Sequence, residues 1–341
     1  MTSTFERIQE IDVSPLFTVT AFQPCEVDVP IASALATDGA FVATGLPEST
    51  QLDEEMTNLM RFFDLPLEVK LGCAVQSYRP RNPNTYRGYY PLPEESDWTH
   101  FAQRKEFFDM GPEPAINVPN IPGGKSLCEP NVWPNEGDLP NWRFEMVEQL
   151  RRFRNLACVL MAAIPRGLGL DSAPFLSASK GRNASIRLLS HPDWTKISQP
   201  ACPASKDAAN LGSPNDLETL ADGREIVTSC HVDENLLSLL WQSCTGGLQM
   251  KGCDGTWKEV CPRPGTLSIH CGTLLTHLTD GTLIGTPHRV ASDRSHRTAM
   301  GFFLEHDFEA NVLAPNTEAP VTYAQHLVNS FPDRFTESEP A

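Results

Sequence analysis

Residues 228–241 read TSCHVDENLLSLLW, and they place His231 and Asp233 two positions apart just ahead of a leucine-rich run. In extended chain, residues i and i+2 project from the same face, so this pair can point into a barrel while Val232 points out. The leucine run after it reads as a buried strand. From Ala184 onward the neighbouring segments have the same texture: ASIRLLSH, GGLQMKG, TWKEV, GTLSIHCG, TLIGTPHRV and TAMGFFLEH are short β-type runs separated by glycine or Asp-Gly turns. Such spacing predicts an antiparallel barrel or jelly roll, with KGCDGTWKEV as its clearest hairpin. The polar stretch 196–225 between the first two runs is long enough for a lid or an insertion.

Upstream, the pattern is α/β. IQEIDVSPLF alternates like a strand, VPIASALATDG suggests a short helix ending at Gly39, and AFVATGL a strand closed by Pro47. Leu52, Met56, Leu59, Met60 and Phe63 then recur at helical spacing behind Ser49, a candidate N-cap, until Pro66. Residues 79–140, rich in Pro, Asn and Gly, predict long ordered loops that carry function. Phe144, Val147, Leu150, Phe153, Leu156, Leu160 and Ile164 mark one long amphipathic helix that reaches Pro165 and braces a sheet. The expected fold class is therefore mainly β with α, in one unit spanning 1–341. Its parts are an N-terminal α/β part with long loops (1–140), a bracing helix (141–170) and a jelly-roll core (183–310).

The chain has 341 residues with 27 Lys and Arg against 43 Asp and Glu, a net charge of −16. That balance repels phosphate backbones and anionic bilayers, which argues against nucleic acid or membrane partners. The first residues lack the basic and apolar regions of an export signal, so a cytoplasmic protein is expected. Its ten cysteines are scattered without a C-x-x-C pair, which suits reduced thiols. A small-molecule substrate and a monomeric or weakly homodimeric state complete these expectations.

The H-x-D pair acquires chemical meaning from His288 in GTPHRV, at the end of another strand-like run. Two imidazoles and one carboxylate on one face of a metal form the facial triad that suits Fe(II) and leaves positions open, whereas zinc more often recruits a third histidine or cysteines. Arg297, in RTAMGFF, has no acidic neighbour in its strand. A buried guanidinium needs a carboxylate, and its planar fork suits bidentate capture of one from a ligand. His270, His277, His296 and His306 lack partners at triad spacing and are expected in core or surface roles.

H-V-D, P-H-R-V and R-T-A before MGFF, with GGLQM, DGTW and PRPGTLSIHCG between them, resemble the core of the 2-oxoglutarate/Fe(II) dioxygenase superfamily, in its isopenicillin N synthase branch. FFDLPLEVK, YRGYYPL, NVWPNE and SIRLL extend the resemblance over most of the chain. It implies a double-stranded β-helix with flanking helices, in which His231, Asp233 and His288 hold Fe(II). It also implies that Arg297 holds the distal carboxylate of 2-oxoglutarate, and that O2 is the oxidant for a C–H bond of a small carboxylate-bearing substrate, amino acid or peptide-like, in specialised metabolism. Most of the family reads R-x-S at this point, but this chain has Ala299, which removes one hydrogen bond worth about 1 kcal/mol. The bacterial ethylene-forming enzyme, a 2-oxoglutarate user, is similar here, down to a motif like DFEAN at 307–311. An isopenicillin N synthase-like oxidase that needs no 2-oxoglutarate stays open as an alternative, as does a binding barrel without catalysis. For the substrate, Arg187 in SIRLLSH is expected at the barrel mouth, and Arg87, Tyr89 and Tyr90 resemble a substrate-contacting loop.

Overall fold

The computed structural model describes residues 6–92, 105–115, 124–179, 183–194, 196, 219–312 and 321–330. Most of the polar stretch expected as a lid, 197–218, lies outside the described residues.

Among the described residues, thirteen strands form two sheets. In chain order they are β1 (Glu6–Arg7), β2 (Glu10–Asp12), β3 (Ala40–Thr44), β4 (Gly88–Tyr90), β5 (Glu106–Met110), β6 (Ala184–His191), β7 (Glu225–His231), β8 (Leu237–Gln242), β9 (Leu248–Lys251), β10 (Trp257–Glu259), β11 (Leu267–Cys271), β12 (His288–Ser292) and β13 (Arg297–Leu304). The smaller sheet has the order β1-β10-β9-β12-β7, and the larger β2-β3-β11-β8-β13-β6-β5-β4. Apart from β1 on β10 and β2 on β3, every ladder is antiparallel. The mainly-β jelly roll with flanking helices is what the sequence predicts.

The helices are α1 (Asp28–Asp38), α2 (Ser49–Leu59), α3 (Leu67–Gly72), α4 (Gly124–Leu127), α5 (Trp142–Leu168), α6 (Ala173–Ser179), α7 (Thr273–Leu278) and α8 (Tyr323–Ser330). α1 stops where expected, because Gly39 takes φ 67° and donates its N–H to Leu35 O. A side chain there would also strike Thr286, whose Oγ1 lies 2.5 Å from the position of a Cβ. α2 begins at Ser49 itself, one residue past Glu48 in left-handed geometry, so Ser49 is not the cap. α5 runs one turn beyond Pro165 and ends at Gly169, φ 69°. Arg166 fastens that turn to α1 by a two-pronged pair with Asp28 at 2.8 and 2.7 Å. Phe144, assigned to the buried stripe, is 68% exposed; the buried face instead runs through Met146, Leu150, Phe153, Ala157, Leu160 and Ile164.

Strict alternation along the central strands sorts their residues into two sets. Met300, Phe302 and Leu304 of β13, with Ile186 and Leu188 of β6, face the helices, and Phe153 of α5 meets Phe302 with ring centroids 6.1 Å apart. The odd-numbered partners look the other way, into the barrel. Cross-strand register aligns them in rows: Arg297 beside His191, Ala299 between Gln242 and Leu189, Gly301 between Leu240 and Arg187, and Arg187 beside Asp109.

Two expectations are corrected here. Residues 79–140 are not all loop: β4 and β5 extend the large sheet at its edge. The alternation of EFFDM, with Glu106, Phe108 and Met110 buried on one side, is what adds β5. In addition, His288 does not end a strand. It begins β12, because Gly285 and Pro287 interrupt the ladder before it.

Among the described residues no helix is long and apolar enough to cross a membrane. The nine described cysteines are free.

Candidate active site

His231 closes β7 and His288 opens β12, and the two strands put these residues directly opposite each other. Asp233 sits two residues beyond β7, in the turn before β8. One ligand atom from each of His231, Asp233 and His288 lies within 4.8 Å of the others. Asp233 Oδ1 is 3.7 Å from the Nε2 of both histidines, and their ring centroids are 4.2 Å apart. Among the described residues this is the only such His/Cys/Asp/Glu group.

The surrounding bonds fix which atoms face inward. His231 Nδ1 is 2.9 Å from Ser229 O and His288 Nδ1 is 3.1 Å from Thr286 O, so Nδ1–H donates in each ring and Nε2 keeps its lone pair for a metal. Asp233 Oδ2 accepts from Ser238 Oγ at 2.6 Å and from His270 Nε2 at 3.0 Å, which leaves Oδ1 to the metal side. Loss of hydration, fuller at buried His288 than at half-exposed His231, lowers both triad histidines from their ordinary range and favours the neutral form a ligand needs. Burial alone would raise Asp233, but the attraction of His288 and the bonds from His270 and Ser238 outweigh it and hold the carboxyl well below the usual range. The residues present therefore fit a divalent cation. His270, read as a core residue, is fully buried and orients Asp233; only the pairing of β11 with β8 brings it there.

Beside the triad, a cavity of ≈ 380 Å³ is lined by His231, Asp233, Arg87, Asp109, Arg187 and Glu305, among others. α8 covers part of it: Tyr323 OH stands 3.1 Å from Glu234 O, and His326 meets the Glu234 carboxylate at 2.9 Å.

Deeper in the same barrel lies Arg297, 4% exposed. Its Nε donates to Gly246 O at 2.7 Å, and Gln242 Oε1 stands 3.5 Å from Nη2. No described carboxylate pairs with it, and burial alone brings the guanidinium down to about 10. Across the ladder, buried His191 has neither ring nitrogen hydrogen-bonded among the described residues. Burial, then the positive charge of Arg297, drives this imidazole well below its ordinary range. Lys105, whose Nζ is 3.4 Å from Thr228 Oγ1, falls to about 8 through burial and the charges of Arg187 and Arg297. Sequence reasoning missed His191 and Lys105. The signal for His191 was parity with Arg187, four residues earlier on the same strand face.

Sequence comparison accounts for this layout. Residues 203–306 match the model of the 2OG-Fe(II) oxygenase superfamily. Residues 8–136 match that of the N-terminal region described as non-haem dioxygenase in morphine synthesis. The chain belongs to the 2OG-Fe(II) oxygenase superfamily. The oxygenase is 26% identical to isopenicillin N synthase of Streptomyces clavuligerus over 307 residues, covering 89% of this chain and 86% of the relative. It is 28% identical to a 2-oxoglutarate-Fe(II) type oxidoreductase of Aspergillus fumigatus, over 78% and 72% of the two chains. Its fold matches that of a full-length Neurospora crassa protein crystallised in complex with alpha-KG, with TM-score 0.71, 22% identity and 98% of both chains covered. The oxygenase is thus an oxidoreductase of a family that works with Fe(II), 2-oxoglutarate and O2.

The substrate assignments fare unevenly. Arg187 lines the cavity, but its guanidinium already pairs with Asp109 at 2.7 and 2.6 Å, the β5 residue beside it. Arg87 also lines the cavity, with its head group on Glu129 O at 2.7 Å and Leu127 O at 2.8 Å. Tyr89 does not contact the cavity. It is 1% exposed, meets Phe62 edge-to-face in the aromatic core, and donates its hydroxyl to Glu106 at 2.6 Å. Tyr90 lies against Phe107 with centroids 4.2 Å apart, and its hydroxyl donates to Tyr86 O at 2.7 Å. Neither tyrosine lines the cavity among the described residues. β4 turns Tyr89 to the core, and its neighbour is held by stacking.

Proposed function

We propose that this oxygenase uses Fe(II) held by His231, Asp233 and His288, takes 2-oxoglutarate as cosubstrate on Arg297, and oxidises a C–H bond of a small carboxylate-bearing substrate, amino acid or peptide-like. The observation that carries the cosubstrate assignment is Arg297. It is a buried cation with no described carboxylate partner, beside a buried histidine that lacks hydrogen bonds among the described residues. Leaving a buried cation without a counter-charge, and a buried imidazole without hydrogen bonds, is unfavourable, so the arrangement favours an anionic ligand reaching between the triad and β13.

Fe(II) held by His231, Asp233 and His288, with 2-oxoglutarate on Arg297, would supply the family's oxidative chemistry, in which O2 is the oxidant and carbon dioxide is lost. Here the chain's own residues orient. Ser238 and His270 keep Asp233 to a single outward oxygen. Ser229 and Thr286 carbonyls fix both imidazole rings. Ala299 and Leu189 form an apolar row beside that of Arg297 and His191. The missing serine hydroxyl is not replaced at position 299; Gln242, opposite Ala299, approaches the guanidinium instead. The reading also includes specialised metabolism and a monomeric or weakly dimeric protein.

The test mixes Fe(II), 2-oxoglutarate and protein without oxygen. A weak visible charge-transfer band, then succinate on admission of air, supports the proposal. Oxygen uptake with an organic substrate, but neither band nor succinate, would establish the oxidase alternative.

A further inference from the structure

From the charges that line the cavity, and resting on the functional reading above, we infer that Glu305 determines specificity by receiving a primary ammonium group of the substrate, which is a small zwitterion whose carboxylate faces the arginine side.

Most of the cavity's charged groups already have partners. Arg187 is neutralised by Asp109, Glu234 meets His326, and Asp233 belongs to the metal site. Arg87 and Glu305 remain. Neither forms an ion pair with any described residue, yet both line the same cavity and each feels the other's charge. They stand too far apart to pair directly, and the space between them belongs to the ligand.

Glu305 continues the inward-facing set of β13, in step with Arg297, Ala299, Gly301 and Phe303, and its N–H is bound to Asn183 O at 3.1 Å. One carboxyl oxygen, Oε2, accepts from Tyr323 OH of α8. The other, Oε1, has only Ser185 Oγ at 3.4 Å. Glu305 lines the cavity, and this oxygen keeps spare acceptor capacity. Withdrawal from water pushes this carboxyl up to about 8, the state of an acid that lacks its cation; an ammonium beside it restores the charged form. Arg87 is equally fixed. Its guanidinium lies flat on Gly111, where a Cβ would collide with the guanidinium carbon, so Gly111 is required for this placement. A molecule with an ammonium and a carboxylate satisfies both ends. A plain carboxylic acid leaves Glu305 unmatched, and an amine alone leaves Arg87 unmatched.

The experiment uses full-length protein, loaded anaerobically with Fe(II) and 2-oxoglutarate. The probes are the twenty common L-amino acids, with the 2-hydroxy acid and N-acetyl analogue of any that bind. Binding is read from the change in the visible band and, on admission of air, from stimulated succinate formation. At least one amino acid is expected to bind, with its 2-hydroxy and N-acetyl analogues tenfold weaker or worse. Glu305→Gln, which keeps the shape and a carbonyl acceptor for Tyr323, should weaken the amino acid tenfold or more. It should leave the 2-oxoglutarate band and binding of the hydroxy acid as in wild type, which also shows that the variant is folded. The inference is overturned if no amino acid binds, if a hydroxy acid binds as tightly as its amino acid, or if Glu305→Gln binds like wild type. A normal 2-oxoglutarate band with no amine preference removes only this assignment; a wild-type protein without the band removes the functional reading beneath it as well.

Discussion

Replacing Arg297 by methionine should separate stability from cosubstrate affinity, because the structure gives this arginine no counter-ion among the described residues. Burial alone holds its guanidinium at about 10, equivalent to about 3 kcal/mol against carrying the charge in the folded state. Arg297→Met relieves that penalty and fills similar space, but it strips the 2.7 Å bond from Gly246 O, a loss of about 1–3 kcal/mol. The two effects nearly cancel, so the ligand-free variant should unfold within about 2 kcal/mol of wild type. Affinity should change far more. Losing hydrogen bonds to a charged carboxylate is worth about 1.5–3 kcal/mol, or roughly ten- to hundredfold in 2-oxoglutarate binding. At a ligand concentration near 100 times the wild-type Kd, ligand stabilises wild type by about 2.7 kcal/mol and the variant by only about 0.4–1.4 kcal/mol. Urea unfolding of Fe(II)-loaded protein under nitrogen, with and without 2-oxoglutarate, measures both quantities. A fall of about 3–5 kcal/mol without ligand is what breaking a buried ion pair produces. That result would show that Arg297 has a protein partner, and the anion-site reasoning would fail.

Asp109→Asn should do what Arg297→Met does not: it strands Arg187 without its carboxylate and lowers stability by about 3–5 kcal/mol, and the double variant Asp109→Leu with Arg187→Leu recovers much of that in the same unfolding assay. Ser238→Ala combined with His270→Phe frees Asp233 Oδ2, and Fe(II) affinity, titrated against a competing chelator, should drop about 10- to 100-fold. Ala299→Ser restores a hydroxyl beside Arg297 and should tighten 2-oxoglutarate by about fivefold, from about 1 kcal/mol, as read from the visible band; unchanged or weaker binding would place the cosubstrate away from that row.

The triad was legible because residue types announce it: two histidines and an aspartate near strand ends have few other uses together, and Arg297 without a neighbouring acid asks for a ligand. What the linear pattern hides is parity and register. Whether Tyr89 or Tyr90 faces the core depends on how Gly88–Tyr90 pairs with β5, and β5 itself lay in a stretch read as loop. Without β5 there is no Asp109 beside Arg187, so that arginine looked free for substrate. His191 shows the same limit in reverse. It shares a face with Arg187 on its own strand, but only the pairing of β6 with β13 sets it against Arg297. His270 reaches Asp233 solely through the β11–β8 ladder, a relation with no local trace in sequence.

The alternation along β13 has a practical reach. One strand carries two independent messages interleaved residue by residue: the even numbers are addressed to the helical jacket, the odd ones to whatever chemistry occupies the hollow. Selection for new reactivity can rewrite 299, 303 and 305 while leaving 300, 302 and 304 untouched, so catalytic repertoire and foldability are free to evolve on separate schedules within one short run of codons.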